Sequence, residues 1–137
     1  MDYEPLFSSY SDQLYGPLKG LSVLNYLSSH DDGGPFDKQR VKTIEAGTKL
    51  LLCPGASQVY YGDESSRELD IKGTHGDATL RSFMNWEEME NDVVRNDVPI
   101  AEVLLHYQKL GQFRREHLSV GAGTHQMLSE APYIFSR

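Results

Sequence analysis

The stretch Val23-Leu24-Asn25-Tyr26-Leu27-Ser28-Ser29-His30-Asp31-Asp32 decides how this chain is read. An apolar run ends abruptly in an imidazole and a carboxylate, and Gly33-Gly34-Pro35 follows at once. A short apolar segment bounded by turn residues reads as a strand buried on both faces, here over 21–29. Val59-Tyr60-Tyr61-Gly62-Asp63-Glu64 repeats the plan, with a strand over 57–62 that also ends in acid. Between the two strands, residues 36–53 follow a helical period. Val41, Ile44, Thr48 and Leu51 or Leu52 fall on one face, and Asp37, Lys38, Arg40, Lys42 and Glu45 fall mostly on the other. Strand, helix, strand is the alternation of an α/β fold with a parallel sheet. Polar groups at both strand ends point to one shared site.

Outward from this unit, Leu6, Tyr10 and Leu14 recur at helical steps, so residues 2–15 read as a helix that Gly16-Pro17 stops. Pro54-Gly55 ends the second helix. Residues 63–98 are polar and irregular, a loop long enough to be functional. Pro99 opens the clearest helix, with Ile100, Val103, Leu104, Tyr107, Leu110 and Phe113 at helical spacing. After Gly121 and Gly123, His125 to Leu128 and Tyr133 to Phe135 read as short strands of a β-type unit. The expected organisation is therefore 1–120 as one α/β portion and 121–137 as the start of a β domain. Two parallel strands alone leave both edges open. The pattern thus reads as an excerpt of a larger sheet or barrel, and an isolated chain of this kind is expected to self-associate.

Composition bounds the function. The net charge of −7 repels phosphate, and no basic stripe offsets it, so nucleic acid is not an expected partner. No segment approaches the ~20 apolar residues of a membrane span, so no membrane partner is expected. Met1-Asp2-Tyr3-Glu4-Pro5 lacks the basic and apolar parts of a signal peptide. A single cysteine, Cys53, excludes an internal disulfide and a cysteine-rich zinc site, and its apolar neighbours mark it as a buried thiol.

Three motifs then agree in order. Leu24-Asn25-Tyr26-Leu27-Ser28-Ser29-His30-Asp31 resembles the seventh-strand motif of the α-amylase superfamily of retaining glycoside hydrolases (family thirteen), an apolar run ending Asn-His-Asp. Gly55-Ala56-Ser57-Gln58-Val59-Tyr60-Tyr61-Gly62-Asp63-Glu64 resembles that family's eighth-strand motif. Arg81-Ser82-Phe83-Met84-Asn85-Trp86 resembles the Arg-x-Pro-Met-x-Trp segment that follows. Ser29 stands where Asn is usual, and Ser57 and Phe83 stand where prolines are usual. The tail resembles the opening of the β-sandwich after the barrel.

The resemblance implies the seventh and eighth β/α units of a (β/α)8 TIM barrel, in which sites form at the C-terminal ends of the strands. It implies an α-glucan or maltooligosaccharide as substrate and the remainder of the barrel as partner. Retaining hydrolysis needs a nucleophile and an acid/base about 5 Å apart. In this family both lie on earlier strands, so the isolated chain is expected not to hydrolyse. Asp31 is implied as the third catalytic carboxylate, holding sugar hydroxyls and distorting the ring. His30, Arg81 and Trp86 are implied as substrate-binding residues. Tyr61, Gly62 and Glu64 shape the barrel mouth, Glu64 as a structural carboxylate. A calcium ion is common in the family; no cofactor or calcium site can be placed on this chain.

Other readings stay open. His30 could be satisfied by backbone at a strand end, and Asp32 reads as a loop residue. Tyr61 fits core packing as well as sugar stacking, and Trp86 could pin the long loop. His30, Asp31 and Asp32 are metal-ligand types and would suit a metal-dependent hydrolase, although adjacent strand residues point in opposite directions. Glu102 and His106 read as a solvated helix face, and Arg114, Arg115 and Glu116 as helix-end charge that the dipole favours. A carbohydrate-binding or interaction module without catalysis, descended from such a barrel, is the alternative of a different class.

Overall fold

A computed structural model describes residues 2–137. It holds α1 (Glu4–Tyr15), β1 (Leu24–Asn25), α2 (Thr43–Leu52), β2 (Ala56–Ser57), α3 (Trp86–Glu90), β3 (Val94–Arg95), β4 (Val98–Pro99), α4 (Ile100–Glu116), α5 (Ser119–Ala122), β5 (Gln126–Ser129) and β6 (Ile134–Ser136). Short 3-10 turns at Asp63–Ser65 and Gly76–Leu80 interrupt the long connection. The result mixes helix and strand and contains no closed barrel among the described residues.

β1 and β2 pair in parallel, Leu24 with Ala56 and Asn25 with Ser57, as the strand–helix–strand pattern predicts. Both strands are much shorter than the predicted 21–29 and 57–62. Leu24 is 57% exposed, so β1 is not buried on both faces as expected. Its apolar side chains read as buried because their composition suits a central strand; here no further strand or layer covers them.

The core lies between α2 and α4. Leu27, Ala46, Leu50, Leu51, Val103 and Tyr107 form one buried cluster, with Ile44, Val98 and Leu110 packed against it. Each fully buried Leu or Val contributes about 1.5–3 kcal/mol. Gly47 lets the helices approach: a Cβ there would sit 2.6 Å from the Tyr107 ring. His106, expected on a solvated face, instead meets Thr48 Oγ1 at 2.8 Å across the same helix pair. Burial holds its imidazole below the usual histidine pKa.

The C-terminal carbonyls of α2, which no helical N–H can reach, are met by side chains from elsewhere. Ser57 Oγ donates to Leu50 O, Arg114 to Leu51 O and Cys53 O, and Arg137 to Leu52 O. Arg114 therefore caps another helix, where the sequence placed it as end charge on its own. Cys53 is buried as expected, and burial pushes its thiol up to about 11.

Helix α2 begins at Thr43, not near 36. Asp37 and Arg40 adopt left-handed φ values of 55° and 58°, which no helix continues. Asp37 instead accepts the Val41 and Lys42 backbone N–H groups, closing the turn that precedes the helix. The consequence reverses two expected orientations: Val41 is exposed and Arg40 is buried. The 63–98 connection is likewise less irregular than expected. It contains α3 and the β3–β4 hairpin, whose Asn96 and Asp97 both take positive φ, as a tight hairpin turn requires.

In α1 the buried line is Phe7 and Ser11; the predicted Leu6, Tyr10 and Leu14 are half-buried or less. Phe7 packs on Phe135 and His125 of the C-terminal segment, and β5 and β6 form the expected strand pair, here antiparallel. His125 Nε2 lies 2.7 Å from Glu4 Oε2, and Tyr133 donates to the same oxygen at 2.8 Å. The 121–137 hairpin thus packs directly on α1.

Candidate functional site

Residues 28–35 form a closed excursion from the C-terminal end of β1. It leaves at Ser28 and returns where Phe36 N donates to Leu27 O at 2.8 Å. Its two ends are fixed, and its tip carries His30 and Asp31 into solvent. The Asp31 side chain is 62% exposed. Ser29 Oγ donates to Asp31 Oδ1 at 2.8 Å, and His30 Nε2 lies 3.8 Å from Oδ2, a Coulombic contact longer than a hydrogen bond. The Ser29 hydroxyl, then the nearby His30, hold the Asp31 carboxyl below the ordinary aspartate pKa. Asp32 Oδ1 accepts the Gly34 N–H at 3.0 Å, a turn contact that matches its reading as a loop residue.

Arg81 reaches this tip from the long connection. Its Nε donates to the His30 carbonyl at 2.8 Å, and its guanidinium faces Asp77 at 3.7 Å. The structure therefore brings His30, Asp31 and Arg81 together from positions far apart in the chain. Trp86 is not with them. It is 64% exposed and lines a groove with Ser82, Phe83, Asn85 and Glu87 that includes none of those three residues. That exposure removes the reading of Trp86 as a core pin for the loop. Asn85 does the pinning, with Ser65 Oγ donating to its Oδ1 at 2.7 Å and its Nδ2 donating to Ser65 O at 2.9 Å.

Behind the exposed tip lies a buried ionic framework that sequence reasoning missed. Asp63, at the end of the second apolar run, is 0% exposed and its Oδ1 lies 2.9 Å from Arg40 Nη2. Ser28 Oγ donates to the same oxygen at 2.7 Å, tying the two strand ends to each other. Arg40 Nε donates to Arg67 O at 2.8 Å. The Arg67 guanidinium, also buried, donates to Tyr61 O and Leu80 O and lies 4.0 Å from the Tyr61 ring centroid. Gly62 is required here. Its φ is +88°, and a Cβ would come 2.5 Å from Arg67 Cβ and 2.7 Å from Cδ.

Tyr61 is not the core residue expected: it is 41% exposed, with its ring against that guanidinium and its hydroxyl donating to Ser82 O at 2.8 Å. Glu64 Oε2 accepts the Gly62 N–H at 2.9 Å, in keeping with a structural carboxylate. Tyr107 extends the framework toward α4; burial, then the Asp63 charge, push its hydroxyl above the ordinary tyrosine pKa. The available signal for the framework was an arginine in each of two polar segments beside a strand-end acid. Helical periodicity concealed it at Arg40.

No group of three or more His, Cys, Asp or Glu that could hold a metal ion occurs among the described residues. His30 and Asp31 face each other while Asp32 accepts the Gly34 N–H, so no third ligand joins them and the metal-hydrolase reading lacks its ligand set.

No family model matches the chain. Over 116 residues, 81% of this chain, it is 40% identical to the periplasmic alpha-amylase of Escherichia coli (strain K12). The chain is related to an α-amylase. It spans only 15% of that protein's length. The resemblance drawn from three short motifs thus extends to a relationship over most of this sequence.

Proposed function

We propose that this chain is the part of an α-amylase-like glycoside hydrolase that carries the seventh and eighth β/α units of its catalytic (β/α)8 barrel, with residues 121–137 opening the next β domain. The observation that carries this reading is the meeting of His30, Asp31 and Arg81 at the C-terminal end of a parallel strand pair. Barrel enzymes build their sites at that end. The relationship to an α-amylase supplies the chemistry to test there.

In this reading the substrate is an α-glucan or maltooligosaccharide cleaved at α-1,4 links with retention. Asp31 Oδ1 is occupied by Ser29, which leaves Oδ2 to accept sugar hydroxyls. Hydrogen bonds that strengthen as the ring distorts toward the oxocarbenium-like transition state supply several kcal/mol. The negative charge of Asp31 favours that cationic state, and His30 Nε2 donates to the same sugar. The nucleophile and acid/base come from earlier strands of the enzyme, so the chain alone binds sugar weakly and does not hydrolyse it. Trp86 offers a ring face to a sugar further along the substrate. No calcium ligand is assigned to this chain.

The test is a chimera in which this chain replaces the matching segment of the Escherichia coli periplasmic α-amylase. The folded chimera should hydrolyse an α-1,4-glucan. Asp31→Asn should lower its kcat by about 10²–10³, whereas Asp32→Asn should stay within about threefold. A folded, inactive chimera, or equal effects of the two substitutions, would refute the assignment.

The exposed apolar residues Leu21, Leu24 and Tyr26 favour a second reading, a self-associating module that binds carbohydrate without catalysis. Light scattering across a dilution series separates the two: a stable compact oligomer supports the module, and a monomer removes it.

A further inference from the structure

The α-amylase-like reading places Asp31 against sugar but leaves open what aims its carboxylate. An exposed aspartate on a loop ordinarily samples several rotamers, and a catalytic constellation must be held to within about half an ångström. The loop tip here has unusual restraints. Ser28 is tied to buried Asp63, Arg81 holds the His30 carbonyl, and Phe36 N closes the excursion on Leu27 O. The backbone around Asp31 is therefore fixed on both sides, and the remaining freedom is in the Asp31 side chain.

We infer that Ser29 is the positioning residue of this site, its hydroxyl setting the orientation of the Asp31 carboxylate. Ser29 is only 9% exposed, so its own rotamer is confined. Its Oγ donates to Asp31 Oδ1 at 2.8 Å and accepts the Asp31 N–H at 3.4 Å. One hydroxyl thus bridges the backbone and the carboxylate of the same residue. The bond engages Oδ1 and leaves Oδ2 facing outward beside His30 Nε2. Asparagine, usual at this position in the resembled family, could also offer a donor, but from a longer and planar group. The serine is a shorter tether suited to a hydroxyl donor alone.

The inference rests on the function proposed above, and its test is built to fail separately. Carboxyl-carbon NMR titration of the 137-residue chain follows Asp31 directly, with no need for activity. Removing the donor with Ser29→Ala should move the Asp31 midpoint up, and Ser29→Thr, which keeps the hydroxyl, should bring it back. Ser29→Cys serves as the second donor-poor variant should the alanine chain not fold. An unchanged midpoint in the donor-poor variant overturns the inference.

In the chimera, Ser29→Ala should lower kcat about tenfold with KM within about twofold, as expected for one charge-assisted hydrogen bond at an exposed carboxylate. Ser29→Thr should restore kcat. A moved midpoint with unaltered kcat would show that the bond exists but does not aim the carboxylate for reaction, and would also overturn it. If the wild-type chimera is folded and inactive, the functional reading fails, and an unchanged Asp31 midpoint would still overturn the Ser29 inference on its own.

Discussion

Asp31 and Asp63 occupy parallel places in the sequence, each following an apolar strand, yet the fold treats them in opposite ways. Asp31 stands in solvent, touched by one hydroxyl and approached by one imidazole. Asp63 is sealed away, with Arg40 and Ser28 on a single oxygen. The difference separates two uses of a carboxylate. An exposed one keeps an oxygen for a ligand. A buried one cannot remain charged without a partner, and the partner then fixes the surrounding chain. Here the buried acid holds the platform from which the exposed acid projects, because Ser28 belongs to the first and Ser29 to the second.

The largest effect should come from breaking the buried pair. Asp63→Asn keeps the shape but leaves Arg40 charged and unpaired, and should cost about 3–5 kcal/mol in urea unfolding. Asp31→Asn should leave the urea midpoint where it is. Equal effects on stability would erase the distinction between the two acids.

Gly62→Ala tests the framework from the other side. A methyl group there meets the Arg67 side chain and carries a positive φ, so more than about 2 kcal/mol should be lost. A near-neutral result would mean that Arg67 moves freely and does not clamp the loop.

Glu4 lies between the two extremes, partly exposed beside buried His125. Burial raises its pKa, and the hydrogen bonds from His125 and Tyr133 more than offset this, so the net shift is downward from 4.5. A lowered folded value means stability that is complete above the unfolded value and lost as pH falls through the folded one. Glu4→Gln should therefore flatten the fall of Tm with pH below about 4.5, with the smallest change of the set near neutrality. Glu88, lowered by Arg95 and Asn85 against its own burial, should retain part of the acid slope.

Much of this was legible before the structure. The parallel pair, the helix from Ile100 and the C-terminal hairpin follow from apolar pattern and turn residues, which act locally. The meeting of His30 with Asp31 is a matter of adjacency. What escaped was set by contacts between distant segments. Arg40 sits on the polar face of any helix drawn through 36–53, and only the left-handed turn at that residue points it inward. Arg67 carries no periodic signal, and its position depends on where the long connection folds back; Arg81 was named from its motif, but not its bond to the His30 carbonyl. The β3–β4 hairpin had a sign, the Asn96-Asp97 pair between Val94 and Val98, but strands of two residues are too short to show alternation. Trp86 was assigned by pattern alone, and the structure places it in a groove that Asp31 does not line.

Arg137 stacks its guanidinium 4.7 Å from the Phe7 ring centroid, while its Nη1 donates to Val120 O at 2.7 Å. Arg137 thus ties α1 to the segment around α5. The chain could be cut at Gly73, where φ is +83° and a Cβ would meet nothing within 4 Å, with Arg137 still holding the two pieces together. Such a cut falls in the long connection between Arg67 and Arg81, leaving the strand pair and its loop tip as one continuous piece.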